Sequence, residues 1–111
     1  MREVKAIFRP QRLDHVLRAL REIPGLPGIT VSKVHAYAGH TENAPPSGHV
    51  ETDFMKLETV VPDALVGPVV AAIGQAGHTG RAGDGVVFVV PVEDFVRIRD
   101  LGVAPPDGTS V

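Results

Sequence analysis

Residues 79–99, TGRAGDGVVFVVPVEDFVRIR, run from a glycine-rich turn through an apolar segment to two arginines one residue apart. Glycines 80, 83 and 85 permit positive φ and let the backbone come close to a ligand. Successive N–H groups in such a turn can form a concave nest for phosphate oxygens. A plain connector capping the preceding helix would use the same glycines. Residues 86–92, apolar on both faces, fit a central strand. In a short strand over 93–99, Arg97 and Arg99 would project from one face. Two guanidiniums placed so suit a polyphosphate, with bidentate geometry that lysine does not match. Ion pairs with Glu93, Asp94 or Asp100 would be their plainer use. Nest and arginine pair together predict an anionic ligand, with Asp84 ordering the turn or helping to hold a metal ion on the phosphates.

Upstream, the chain alternates between strand and helix periods. Residues 2–9 place Val4, Ala6 and Phe8 on one side, a strand pattern. Pro10 can open a helix, where its missing N–H costs nothing. Leu13, Val16, Leu17, Leu20 and Ile23 then form one helical stripe, and PGLPG (24–28) stops it. Residues 29–38 and 53–61 alternate as two strands of a hairpin joined by a long polar loop. Asp63 is placed to cap a second helix, with Leu65, Val66, Val69, Val70 and Ile73 as its stripe. Pro68 must then lie near the first turn, since deeper in a helix it costs ~3 kcal/mol. The order β-α-β-β-α-β, plus the short C-terminal strand, is an α+β, ferredoxin-like arrangement: an antiparallel sheet with two helices on one face. The other face carries Ile7 and Val60 and is expected to be buried by self-association.

Bulk properties narrow the function. At 111 residues the chain is one domain, expected over residues 1–100, with residues 101–111 a tail without periodicity. Net charge −2 argues against a general nucleic-acid binder. No apolar run approaches the ~20 residues that span a bilayer, and no signal-peptide core opens the chain. Without cysteine there is no thiolate nucleophile or thiolate metal site, which fits a cytoplasmic location. His15 and His78 read as a helix-surface residue and a helix end.

The segments VKAIFRPQRLDHV, PGITV, KLETVVPD, TGRAGDGVVFVVPVE and VRIR resemble the PII nitrogen-regulatory signal-transduction proteins over residues 2–99. The resemblance implies a homotrimer of ferredoxin-like subunits, ATP or ADP in the clefts between them, and a protruding loop that docks on target proteins. It assigns the phosphate turn to Gly80, Arg81, Gly83, Asp84 and Gly85, and the arginine pair to Arg97 and Arg99. The adenine and ribose side falls on Thr30, Glu58 and Val60, with Ala36 and Ala38 at the end of the second strand. No cofactor is obligatory; the adenine nucleotide is an effector, which magnesium can accompany. A membrane transporter or a metabolic enzyme would be the partner.

Departures from the family pattern sharpen these expectations. Val86 stands where the family usually has a lysine reaching the terminal phosphates. Losing one charge-assisted hydrogen bond costs ~1.5–3 kcal/mol, roughly 10- to 100-fold in affinity, which favours ADP or AMP over ATP. Ala36-Tyr37-Ala38 replaces a Gly-x-Gly, and AYAGHTE lacks the glutamine that helps hold magnesium and 2-oxoglutarate, so the usual 2-oxoglutarate sensing is not expected. The loop over 39–52 is short and has no tyrosine or serine matching the family's modification sites, so uridylylation is not expected. Its residues Gly39, His40, Thr41, Glu42, Asn43, Ala44, Pro45, Pro46, Ser47, Gly48 and His49 read as a polar docking arm, stiffened by Pro45-Pro46.

Two rivals stand beside this reading. His40 and His49, with Glu42, Glu51 or His35, could ligate zinc, nickel or copper, making a metal-responsive protein; the short, His-bearing loop also resembles that of PII-like relatives linked to heavy-metal efflux. An acylphosphatase-type enzyme shares the fold but needs a phosphate-cradling loop after the first strand, and FRPQR (8–12) has no glycine to form one. The chain is therefore expected to be a regulator and not an enzyme.

Overall fold

The computed structural model describes residues 1–37 and 51–101. In chain order they form β1 (Arg2–Phe8), α1 (Leu13–Arg21), β2 (Thr30–Tyr37), β3 (Glu51–Val61), α2 (Asp63–Gly77) and β4 (Gly85–Pro91), with short 3₁₀ turns at Pro10–Arg12 and Ile98–Leu101. The four strands lie in the order β2-β3-β1-β4, all neighbours antiparallel. This is the split β-α-β, ferredoxin-like arrangement expected.

Alternation along β1 and β3 decides which face is buried. Val4, Ala6 and Phe8 of β1 and Met55, Leu57 and Val61 of β3 point to the helices and are buried. They meet Val16 and Leu20 of α1 and Val69 and Ile73 of α2, the centres of the two predicted stripes. Each fully buried leucine or isoleucine here contributes about 1.5–3 kcal/mol of transfer free energy. Thr59 sits in this core and donates its hydroxyl to the Gly28 carbonyl at 3.0 Å, tying the segment before β2 to β3.

The opposite face carries Glu3, Lys5, Ile7, Lys56, Glu58 and Val60, all half-buried, and no helix among the described residues covers it. Val86 and Phe88 of β4 are exposed. The apolar run is therefore an edge strand, not a central one: among the described residues its only hydrogen-bonded neighbour is β1. Its hydrophobicity on both faces says that both sides are apolar, not that both edges are paired.

Three local readings change. The short strand expected over 93–99 does not form among the described residues. The segment instead runs beside Glu3, Glu58 and Val60 of the open sheet face, where no strand edge is available for a ladder, and ends in the 3₁₀ turn. Asp63 is the first helical residue of α2 and makes no side-chain cap; its carboxylate lies 3.3 Å from the N-terminal ammonium and 3.8 Å from Arg2. Pro68 lies in the second turn of α2. It is tolerated there on an exposed face, behind Gly67, which has no Cβ to clash with the ring.

Gly85 has φ 113°, and a Cβ on it would lie 1.8 Å from the Ile7 carbonyl oxygen. Gly74, inside α2, has open space around it. Gly85→Ala should therefore lose upward of about 3 kcal/mol of stability. Gly74→Ala should gain about 0.5–1 kcal/mol. Urea midpoints at unchanged slope measure both, and equal effects would contradict the close crossing at Gly85.

Candidate functional site

The glycine-rich turn is a closed, internally bonded loop. Gly80 and Gly83 both adopt φ 85°, the left-handed region that favours glycine. Asp84 binds the turn together: its carboxylate accepts the Thr79 N–H at 2.8 Å, the Gly80 N–H at 3.1 Å and the Thr79 hydroxyl. The Arg9 Nε adds a fourth bond at 3.1 Å. A carboxylate has about four lone-pair sites, so of the two roles expected for Asp84 the structure shows the ordering one. The Thr79 hydroxyl, then the Thr79 N–H, hold the Asp84 carboxyl well below its ordinary value against an opposing desolvation effect, with Arg9 and Gly80 lowering it by less.

A separate groove of 460 Å³ opens on the uncovered sheet face. Antiparallel register builds one wall: Thr30 pairs with Glu58, and Val60 with Glu3, which puts these four at the same end of the sheet. The connection Pro27–Ile29 and the segment Phe95–Ile98 supply the rest. Arg97 enters from that segment, its guanidinium 5.3 Å from the Phe95 ring centroid, a cation–π distance. Glu58 is met by Lys5 at 3.8 Å and Lys56 at 3.7 Å.

Of the expected ligand residues, Thr30, Glu58, Val60 and Arg97 thus share one groove. Arg99 lies in the 3₁₀ turn, 3.7 Å from Asp100, so it is not presented beside Arg97 by a strand. Gly80, Arg81, Gly83, Asp84, Gly85 and the exposed Val86 sit at the other end of the sheet, because Gly85 pairs with Phe8 while Glu3 and Val60 mark the groove. At about 3.4 Å per residue, Glu3 and Phe8 are roughly 17 Å apart along β1. Turn and groove do not meet within one chain.

Ala36 is half-buried in β2 opposite Thr52. Ala38, the arm over 39–49 and the histidines 40 and 49 lie outside the described residues, as does the tail from residue 102. Among the described residues no cluster of three His, Cys, Asp or Glu could hold a metal ion. His35, one of the alternative ligands, lies 2.9 Å from Asp53, its cross-strand partner. His15 and His78 are exposed on α1 and at the end of α2, as expected.

Sequence reasoning missed Arg9, Thr79, Glu3 and Phe95. Arg9 reads as an outward strand residue, and nothing local signals a partner 75 residues away. Thr79 carries a usable signal: a hydroxyl five residues before an aspartate in a glycine turn.

Residues 1–101 match the family described as Nitrogen regulatory protein P-II. The proteins similar to this chain include nitrogen regulatory protein P-II of Azospirillum brasilense, 46% identical over 105 residues, covering 89% of this chain and 92% of the relative. The Rhodospirillum rubrum protein of the same name is 45% identical with the same coverage. Nitrogen regulatory protein P-II 1 of Escherichia coli (strain K12) is 39% identical, again covering 89% and 92%.

A carboxyl held below its ordinary value of 3.8 contributes stability that is present above that value and lost as pH falls through the folded-state value. Asp84→Asn should accordingly be less stable than the parent at pH 7. The gap should narrow steadily once pH drops below 3.8. Chemical denaturation across this range measures it, and a gap independent of pH would show that the aspartate's charge is irrelevant.

Proposed function

The chain belongs to the nitrogen regulatory protein P-II family, and on that premise we propose that it works as a homotrimer that binds an adenine nucleotide between subunits. Proteins of this family are signal-transduction regulators, not enzymes. The observation carrying the nucleotide reading is the separation just described. Thr30, Glu58, Val60 and Arg97 line a groove at one end of the open sheet face, while the glycine turn lies at the other. A second copy packed on that face would bring its turn to the first copy's groove, so the seam would hold base and ribose from one chain and phosphates from the other.

The exposed surface supports such packing. Val86, Phe88, Phe95, Val96 and Ile98 are all exposed in the single chain, Ile98 to 88%. Burying them would add stabilisation at about 25 cal/mol per Å² of apolar area. Arg81 extends from the turn, and Arg97 and Arg99 from the C-terminal segment, so the cations needed for phosphates are local even though the net charge is −2.

Nucleotide would act by binding two conformations of the arm over 39–49 with different affinity, as any ligand-driven switch must. A transporter or metabolic enzyme would then read the arm. No helix among the described residues is long and apolar enough to cross a membrane.

Calorimetry should detect micromolar ADP binding, and the double variant Arg97→Ala, Arg99→Ala should abolish measurable heat. Sedimentation should give a trimer. A solitary protomer, or no heat with ATP, ADP or AMP, overturns the proposal. Val86→Lys, at an exposed position beside the turn, should strengthen ATP binding by about 10- to 100-fold, and AMP binding hardly at all.

A further inference from the structure

The glycine turn is held from outside its own segment. Arg9, at the end of β1, donates Nε to Asp84 at 3.1 Å and Nη2 to the Ala82 carbonyl at 2.7 Å. The guanidinium is 29% exposed and the Asp84 carboxylate 23%, so water competes with this fork only in part. Within the turn, the Thr79 and Gly80 N–H groups are engaged by Asp84, and the Arg81 N–H by the Thr79 hydroxyl at 3.2 Å. No described hydrogen bond engages the N–H groups of Ala82 and Gly83.

Peptide planarity gives the fork a consequence. In a trans peptide the carbonyl of one residue and the N–H of the next point in opposite directions. The carbonyl of Ala82 is drawn to Arg9, so the Gly83 N–H is turned to the side away from Arg9. Gly83, at φ 85°, accepts that orientation without strain.

We propose that Arg9 is a positioning residue: by gripping the Ala82 carbonyl and the Asp84 carboxylate together, it aims the Gly83 N–H outward as a preformed donor for a ligand phosphate. Arg9 itself touches no ligand. Its effect is confined to how the turn meets phosphate, and the inference rests on the nucleotide reading above.

The test compares ADP with adenosine, by calorimetry, on the parent, Arg9→Gln and Arg9→Lys. Arg9→Gln should weaken ADP by about 10- to 100-fold and leave adenosine unchanged. Arg9→Lys should fall between, because one ammonium lacks the planar fork that meets both acceptors. Amide hydrogen exchange without nucleotide should show Thr79 and Gly80 less protected in Arg9→Gln, with the β1 ladder unaffected. ADP affinity equal to the parent's, equal losses for ADP and adenosine, or unchanged protection at Thr79 and Gly80 would each overturn the role of Arg9 while the nucleotide reading stands. A parent that binds neither ADP nor adenosine overturns that reading, and the inference with it.

Discussion

The backbone of β4 crosses that of β1 so closely at Gly85 that a β-carbon there would lie 1.8 Å from the Ile7 carbonyl oxygen. Everything proposed for the turn depends on this approach. Phe8 sits opposite Gly85 on one side and Met55 on the other, which makes β1 the shared reference for both halves of the sheet. One residue beyond Phe8, Arg9 meets Asp84, one residue before Gly85. A slip of one residue would move the ladder's side chains to the opposite faces and take Arg9 away from the turn. Register, not proximity in the chain, builds the fork.

The two faces of the sheet are used differently. One is filled by α1 and α2 and holds nearly all the fully buried side chains. The other mixes Ile7 and Val60 with charges already paired inside the chain: Lys5 with Glu3 at 3.6 Å and with Glu58, and Lys56 with Glu58. In water such half-exposed pairs add little stability. Their value would appear on a covered face, where a charge without its partner is strongly destabilising. An apolar surface whose charges are already matched can be covered by another copy without stranding one.

On the proposed reading, ligand recognition would likewise be divided between a rigid part and an edge. The turn is tied internally by Asp84 and externally by Arg9, so an anion would find it largely in place. The segment around Arg97 makes no ladder and ends in a 3₁₀ turn, with Phe95 beneath the guanidinium. A preformed cradle lowers the ordering cost of binding. The less constrained segment is where a partner chain would have most to order.

Much of this was legible in the residues themselves. Periods of two and of 3.6 identified β1, β2, β3, α1 and α2, because side-chain direction follows from local backbone geometry, and an unbroken apolar run identified β4. The glycines at 80, 83 and 85 mark positive φ in the sequence itself, since few other residues tolerate it. The groove residues Thr30, Glu58 and Val60 came only through the family resemblance; no local pattern marks them. What tertiary structure alone decided was pairing: that β4 is an edge, that 93–99 lies along the open face and forms no strand, that Asp84 is spent on the turn, and that Arg9 reaches it from 75 residues away. Patterns along a chain report which way each side chain points. They are silent about which strand lies alongside, because that choice is made by contacts distant in sequence.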